Sequence, residues 1–127
     1  MKFLLKEDIL LIHSFLIDET GGSHGVRDYN AIMTAEALPK QILFGKEVYP
    51  TIFLKAAVYT RTIIFSHPFV DGNKRTAMTI ASIFLENNEY IMRAKEGEIE
   101  KFALRIVNEK FELPIIADWF RRHTYRR

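Results

Sequence analysis

Six side chains within nine positions, His67, Asp71, Gly72, Asn73, Lys74 and Arg75, combine residue types that do chemistry. An imidazole accepts a proton near neutral pH, and a carboxylate is a hard oxygen ligand of the kind magnesium takes. Pro68 closes the helix before it and Gly72 permits a turn. Asn73 is a favoured cap for the apolar helical pattern that follows, so the stretch reads as a loop entering a helix N-terminus. Such a terminus turns unpaired N–H groups and a positive dipole end toward an incoming phosphate. Lys74 and Arg75 stand in the first turn, where the dipole disfavours cations, and two cations there call for an anion. The chemistry this allows is phosphoryl transfer, with His67 as base, Asp71 as metal anchor and Gly72, Asn73, Lys74 and Arg75 as the phosphate cradle. Singly, His67 could cap a helix, Asp71-Gly72 could be a turn and Lys74 could be solvated. Their joint occurrence at one helix entrance is what points to a site.

In order, residues 67–75 read His-Pro-Phe-Val-Asp-Gly-Asn-Lys-Arg. This run resembles the Fic/Doc family pattern His-x-Phe-x-Asp/Glu-Gly-Asn-Gly/Lys-Arg at every core position. Lys74 stands where adenylylating Fic proteins usually carry a second glycine, and Met78 where the longer Fic pattern has another arginine. The likeness is therefore closer to the Doc, or death-on-curing, branch. The resemblance implies an all-α fold: a compact bundle of about six helices, one domain over residues 1–127. It also implies a toxin of a type II toxin–antitoxin pair. With ATP as substrate and Mg²⁺ at Asp71, such a toxin moves the γ-phosphate to a serine or threonine hydroxyl of a protein, expected to be elongation factor Tu, and blocks translation. Transfer of AMP in the Fic manner is the alternative. A non-catalytic nucleotide-binding or interaction module is a further one, against which an intact His67 argues.

Fic proteins are often silenced by a Ser/Thr-x-x-x-Glu-Gly/Asn helix. The one match here, Ser82 to Asn87, lies on the same helix as Arg75. Glu86 would then be about 16 Å from Arg75 along the axis, at 1.5 Å per residue, and the match is accidental. Without an internal brake, the resemblance implies a separate Phd-like antitoxin whose disordered segment folds onto this domain.

Composition narrows the setting. Of 127 residues, 48% are hydrophobic and 13% aromatic, enough for one core without staples. There is no cysteine, which excludes disulfides and thiolate metal sites and suits the cytoplasm. Met1 to Leu5 begins like a secretion signal, but Lys6, Glu7 and Asp8 interrupt the apolar run, and no membrane span is expected. The net charge is +2, yet Arg121, Arg122, Arg126 and Arg127 outweigh that excess and leave the body slightly acidic. The arginine tail is expected to be solvated, and nucleic acid is not an expected partner.

The elements that must hold the motif follow from periodicity. Leu5, Ile9, Ile12 and Leu16 predict a first helix over 6–19 with this stripe inward, stopped by Gly21-Gly22. His13 inside it has no second ligand at helical spacing and reads as structural. Residues 20–28 hold three glycines and end in Asp28, a probable N-cap; by composition the segment is a connector. By the family resemblance, residues 20–27 form a flap that docks an extended piece of the target by backbone pairing, with Gly22, Ser23, His24 and Gly25 at its centre. A second helix is expected to turn Tyr29, Ile32, Met33 and Ala37 inward before Pro39, and residues 40–50 to be a loop ordered over the core by Phe44 and Tyr49.

Ile52, Phe53, Ala56, Ala57, Thr60, Ile63 and Ile64 predict a central helix that delivers His67 at its C-terminal end. Ala77, Ile80, Ala81, Phe84 and Leu85 predict its partner, starting at the motif and ending near Asn87-Asn88, with Phe69 anchoring the loop between them. A fifth helix over 96–109 should bury Ile99, Phe102, Ala103, Ile106 and Val107. A sixth from Pro114 should bury Ile115, Ile116, Trp119 and Phe120. No stretch alternates with the period of a strand.

Overall fold

The computed structural model describes all of residues 1–127. Six helices run in the order α1 (Lys6–Thr20), α2 (Tyr29–Ala37), α3 (Ile52–Ser66), α4 (Asn73–Asn87), α5 (Glu98–Glu109) and α6 (Leu113–Arg122). A 3-10 turn at Leu38–Lys40 carries Pro39 at its start and ends the second helix where a proline must. Asp28 caps the second helix as expected, its carboxylate accepting from Ala31 N–H at 3.2 Å, and Thr51 caps the third, accepting from Leu54 N–H at 3.1 Å.

The third helix is the axis of the molecule, packed against α2, α4 and α6. Ala56, Ala57, Tyr59, Thr60 and Ile63 along it are fully buried. The alanines let neighbouring helices approach closely, while Tyr59 stacks at a tilt on Phe84 of α4, ring centroids 5.0 Å apart. The Tyr59 hydroxyl accepts from Leu4 N–H at 3.0 Å and ties the N-terminal strand-like lead to the core. Burial raises its pKa to about 12. A phenol whose folded pKa lies above its unfolded value of about 10 stabilises fully below pH 10 and loses that contribution as pH rises toward 12. The melting temperature is therefore expected to decline above pH 10 in the parent and more weakly in Tyr59→Phe, as differential scanning calorimetry across pH would show.

Several expected faces turn differently. The first helix buries Ile9, His13 and Ile17, leaving Leu5 exposed and Ile12 and Leu16 only half covered. In the second helix Ala31, Ile32 and Ala35 face the core, whereas Tyr29, Met33 and Ala37 are exposed. Ile32 is buried as expected, and the rest of the inward stripe is set by two alanines, not by Tyr29 and Met33. In the last helix Ile115 is exposed and Ala117 takes its place beside Ile116, Trp119 and Phe120.

Four short strands accompany the helices. Residues 40–50 are not a plain loop: Ile42–Leu43 (β1) pairs antiparallel with Lys46–Glu47 (β2), turning at Phe44-Gly45 in left-handed backbone. Phe44 at this tip is fully exposed, so it orders nothing over the core. The hairpin is held instead by Lys55 of α3, 1% exposed, whose ammonium donates to Glu47 Oε1 at 3.0 Å and to the Tyr49 carbonyl. A buried ammonium needs such partners. Tyr90–Met92 (β3) pairs antiparallel with Thr124–Arg126 (β4), so the arginine tail is built into the fold. Arg121 and Arg122 bind Asp118, Arg127 reaches Glu86, and Arg126 lies over the Tyr90 ring. These partners account for the tail's charges locally, and Glu86 points to the tail, away from the motif. No helix is long and apolar enough to cross a membrane.

Candidate functional site

The third helix ends at Ser66, and His67 follows as its C-cap in left-handed conformation, φ 48° and ψ 58°. The helix stops because Pro68 cannot continue it. The last carbonyls are then taken by Arg27, whose Nε–H donates to His67 O at 2.9 Å and whose Nη2 donates to Ser66 O at 3.3 Å. Arg27 is thus a helix-closing residue. The imidazole of His67 is exposed and makes no hydrogen bond, so it is free to meet a ligand.

Phe69 enters the core at 1% exposure, as its place between two polar neighbours predicts. Its backbone is bracketed by one side chain: Asn73 Oδ1 accepts from Phe69 N–H at 3.0 Å, and Asn73 Nδ2–H donates to Phe69 O at 2.9 Å. This corrects the expectation that Asn73 caps the helix. Gly72, in left-handed backbone at φ 75°, is the N-cap, and Asn73 is the first helical residue. Both ends of the Asn73 amide are engaged by the loop, which leaves its backbone N–H and the second Nδ2–H for an anion.

Between Phe69 and the helix, the Asp71 carboxylate is exposed and partly occupied. Oδ1 accepts from Gly72 N–H at 2.9 Å, and Oδ2 accepts from Ser23 N–H at 3.2 Å. The N–H groups of Asn73, Lys74 and Arg75 begin α4, where no helical carbonyl precedes them to accept. Lys74 is exposed and makes no ion pair, whereas Arg75 Nη1 donates to Thr20 Oγ1 at 2.6 Å.

These residues line one end of a cavity of about 790 Å³, between the end of α1, the start of α4 and the start of α5. That volume suits a small-molecule ligand. Asp71, Gly72, Asn73, Lys74 and Arg75 all contribute to it, and Gly22 covers the same end. The far end is formed by Met78, Thr79 and Ser82 of α4 with Ile99, Glu100 and Ala103 of α5. His67 is not part of its wall. Thr20, Thr79 and Glu100 carry no motif in the sequence, and Ser82 belongs there only to the accidental Ser82 to Asn87 match. The positions 75, 78, 79 and 82 do share one face of a helix, and that spacing was the available signal. Nowhere do three His, Cys, Asp or Glu side chains cluster to hold a metal by themselves.

The segment expected to form a flap lies along the motif loop. Val26 and Phe69 form an antiparallel bridge, with Arg27 N–H donating to Pro68 O at 2.7 Å and Val70 N–H to Gly25 O at 3.0 Å. Gly22 and Ser23 rest on the Asp71 carboxylate, while His24 Nε2 meets Asp18 Oδ1 at 2.7 Å. A Cβ on Gly22, whose φ is +112°, would stand 2.8 Å from Asp71 Oδ2. Gly22→Ala is therefore expected to push the segment off the carboxylate and to destabilise by about 1–3 kcal/mol from backbone strain and crowding. Urea unfolding would measure it, and an unchanged midpoint would refute the close packing.

Beneath the loop, His13 is buried and stacked on Phe69, centroids 3.7 Å apart and planes 4° from parallel. Its Nε2–H donates to the Asp71 carbonyl at 2.8 Å. Burial holds its pKa below the ordinary histidine value, outweighing the opposite pull of that hydrogen bond, so the ring is neutral near pH 7.

An exposed imidazole and a loop that enters a helix through Asp-Gly-Asn-Lys-Arg thus sit on a mostly helical core. The chain belongs to the Fic/DOC family, whose model matches residues 3–85. Among curated relatives, the protein named Toxin Doc of Mycolicibacterium smegmatis is 38% identical over 87 residues. That match spans 68% of this chain and 65% of the relative, just under two-thirds of its length. The Protein kinase doc of Escherichia phage P1 is 27% identical over 124 residues, 96% of this chain and 95% of that protein.

Proposed function

We propose that this protein is a Doc-type toxin that transfers the γ-phosphate of ATP to a serine or threonine hydroxyl of a protein target. The observation that carries this reading is the cavity end where Asp71, the α4 N-terminus, Lys74 and Arg75 converge, reached by a short loop that begins at His67, whose imidazole is exposed and unengaged. The names of the two relatives, one a toxin and one a protein kinase, support it.

In this mechanism the target hydroxyl attacks the γ-phosphorus, the bond to the β-bridging oxygen breaks, and ADP leaves. His67 takes the hydroxyl proton as the oxygen–phosphorus bond forms. The free N–H groups of Asn73, Lys74 and Arg75, with the Lys74 ammonium and the remaining Arg75 donors, bind phosphate oxygens and stabilise the charge that develops on them. Asp71 suits Mg²⁺, which is commonly held by one or two carboxylates and completes its shell with water and substrate phosphates. When bound there, the ion would neutralise phosphate charge. Lys74 occupies wall space that a glycine would leave open, and this favours γ- over α-phosphate attack. The segment 20–27 aligns the target chain beside the site. Elongation factor Tu is the proposed target, a Phd-like protein the proposed antitoxin, and the cytoplasm the place of action.

The test uses ATP labelled at either the α- or the γ-phosphorus, with Mg²⁺ and purified bacterial translation factors. Label from the γ position on a Ser or Thr of elongation factor Tu is the expected result. Label from the α position would establish AMP transfer instead, and label on neither would overturn transfer altogether.

A further inference from the structure

Three residues of α1 outside the motif touch three parts of the site. His13, Ile17 and Thr20 are spaced by four and three, and so share one helix face. His13 donates to the Asp71 carbonyl at 2.8 Å while its ring stacks on Phe69. The Ile17 Cδ1 methyl fills the space beside two glycines: a Cβ would meet it at 3.1 Å from Gly72 and 3.2 Å from Gly22. Thr20 donates its own hydroxyl proton to Leu16 O at 2.6 Å, which aims an oxygen lone pair at the Arg75 guanidinium, also 2.6 Å away.

From this juxtaposition we infer that the His13–Ile17–Thr20 face of α1 is a splint: His13 positions the Asp71 carboxylate and Thr20 positions the Arg75 guanidinium for the transfer reaction. The inference rests on the phosphotransfer reading for its catalytic consequence, but the positioning itself is independent of which group is moved. Asp71 lies in a loop whose next residue is Gly72, in left-handed backbone at φ 75°. Rotation of the Asp71–Gly72 peptide would turn away the Gly72 N–H that holds Asp71 Oδ1, and the imidazole N–H opposes that rotation by holding the carbonyl of the same peptide. The arginine side chain carries about 2 kcal/mol of rotamer entropy. Thr20 restricts it before any ligand arrives while engaging one of its five N–H donors, and the rest remain for an anion. None of the three splint residues touches the reacting atoms, so they are positioning residues.

The variants His13→Phe, His13→Gln and Thr20→Val, made in the full chain, test this. His13→Phe keeps a stacking ring but loses the N–H. It is expected to lower kcat, and to raise the Mg²⁺ concentration for half-maximal rate, by about 10–100-fold, the usual effect of losing an outer-shell partner. His13→Gln places an amide N–H near the same point and is expected to restore most of the rate. Thr20→Val is expected to raise KM for ATP several-fold with kcat nearly unchanged. Melting temperatures are read alongside, because a packing role would lower stability in His13→Phe and His13→Gln alike without the rescue. Parent-like Mg²⁺ dependence in His13→Phe, or the absence of rescue by His13→Gln, would overturn the inference. Amide hydrogen exchange at Gly72, whose N–H is bound to Asp71 Oδ1, gives a readout without catalysis: it should accelerate in His13→Phe and return in His13→Gln. If the parent transfers no label, the transfer reading fails by itself and this exchange pattern still decides whether the splint exists.

Discussion

His67→Ala is expected to lower the rate of phosphate transfer by about 10²–10⁴, the range for losing a general base, while the fold is retained. The separation is possible because of where His67 stands. Its side chain is exposed and makes no hydrogen bond, and its structural work is done by its backbone carbonyl, which accepts from Arg27. Removing the imidazole therefore leaves the closure of the third helix intact. The position has a left-handed backbone, φ 48°, which alanine tolerates less well than asparagine. His67→Asn serves as the matched control: it relieves that strain and still lacks a base of suitable pKa. Both variants should be inactive by γ-label transfer and should show near-parent melting by circular dichroism. A parent-like rate in either would show that proton transfer to this ring is no part of the barrier.

Phe69→Ala is the second large effect, and it acts on stability. The ring is 1% exposed, stacked on His13, and belongs to the residue whose backbone is bracketed by the Asn73 amide and bridged to Val26. Truncation empties the space beneath the motif loop, and burying nothing there costs about 3–5 kcal/mol by the usual scale for a core phenylalanine. Against a total stability of about 5–15 kcal/mol this is a large share, worth on the order of 10–20 °C in melting temperature for a domain of this size. Scanning calorimetry would measure it. A loss below about 1 kcal/mol would mean that the loop is held by its hydrogen bonds alone. Phe69→Leu should lose less, since it fills most of the volume but not the stack.

Much of the molecule was legible before any coordinates. The helical periods of residues 52–66 and 73–87, the proline that separates them and the glycine that permits the turn are local features, and local features survive into the fold. The motif is local in the same way, because an imidazole, a carboxylate and two cations at a helix entrance need only neighbouring residues to be recognised. Asp28 as a cap and Phe69 as a core anchor follow from the same short-range logic.

What the sequence could not show by itself depends on partners distant along the chain. Arg75 finds Thr20 across 55 residues, His13 finds the Asp71 carbonyl across 58, and Lys55 is buried only because a hairpin folds back to receive its charge. A count of apolar positions leaves out histidine and lysine, so the buried face of the first helix seemed to run through Leu5 and Ile12 when it runs through Ile9, His13 and Ile17. Strands of two or three residues are too short to display alternation, and the β3–β4 pair forms only when the C-terminal segment returns to Tyr90–Met92. Residue types and their spacing determined which reactive groups the chain carries and the order in which they come. Tertiary structure alone decided which of those groups are held and which stay free, because burial and hydrogen-bond partners are properties of approach in space.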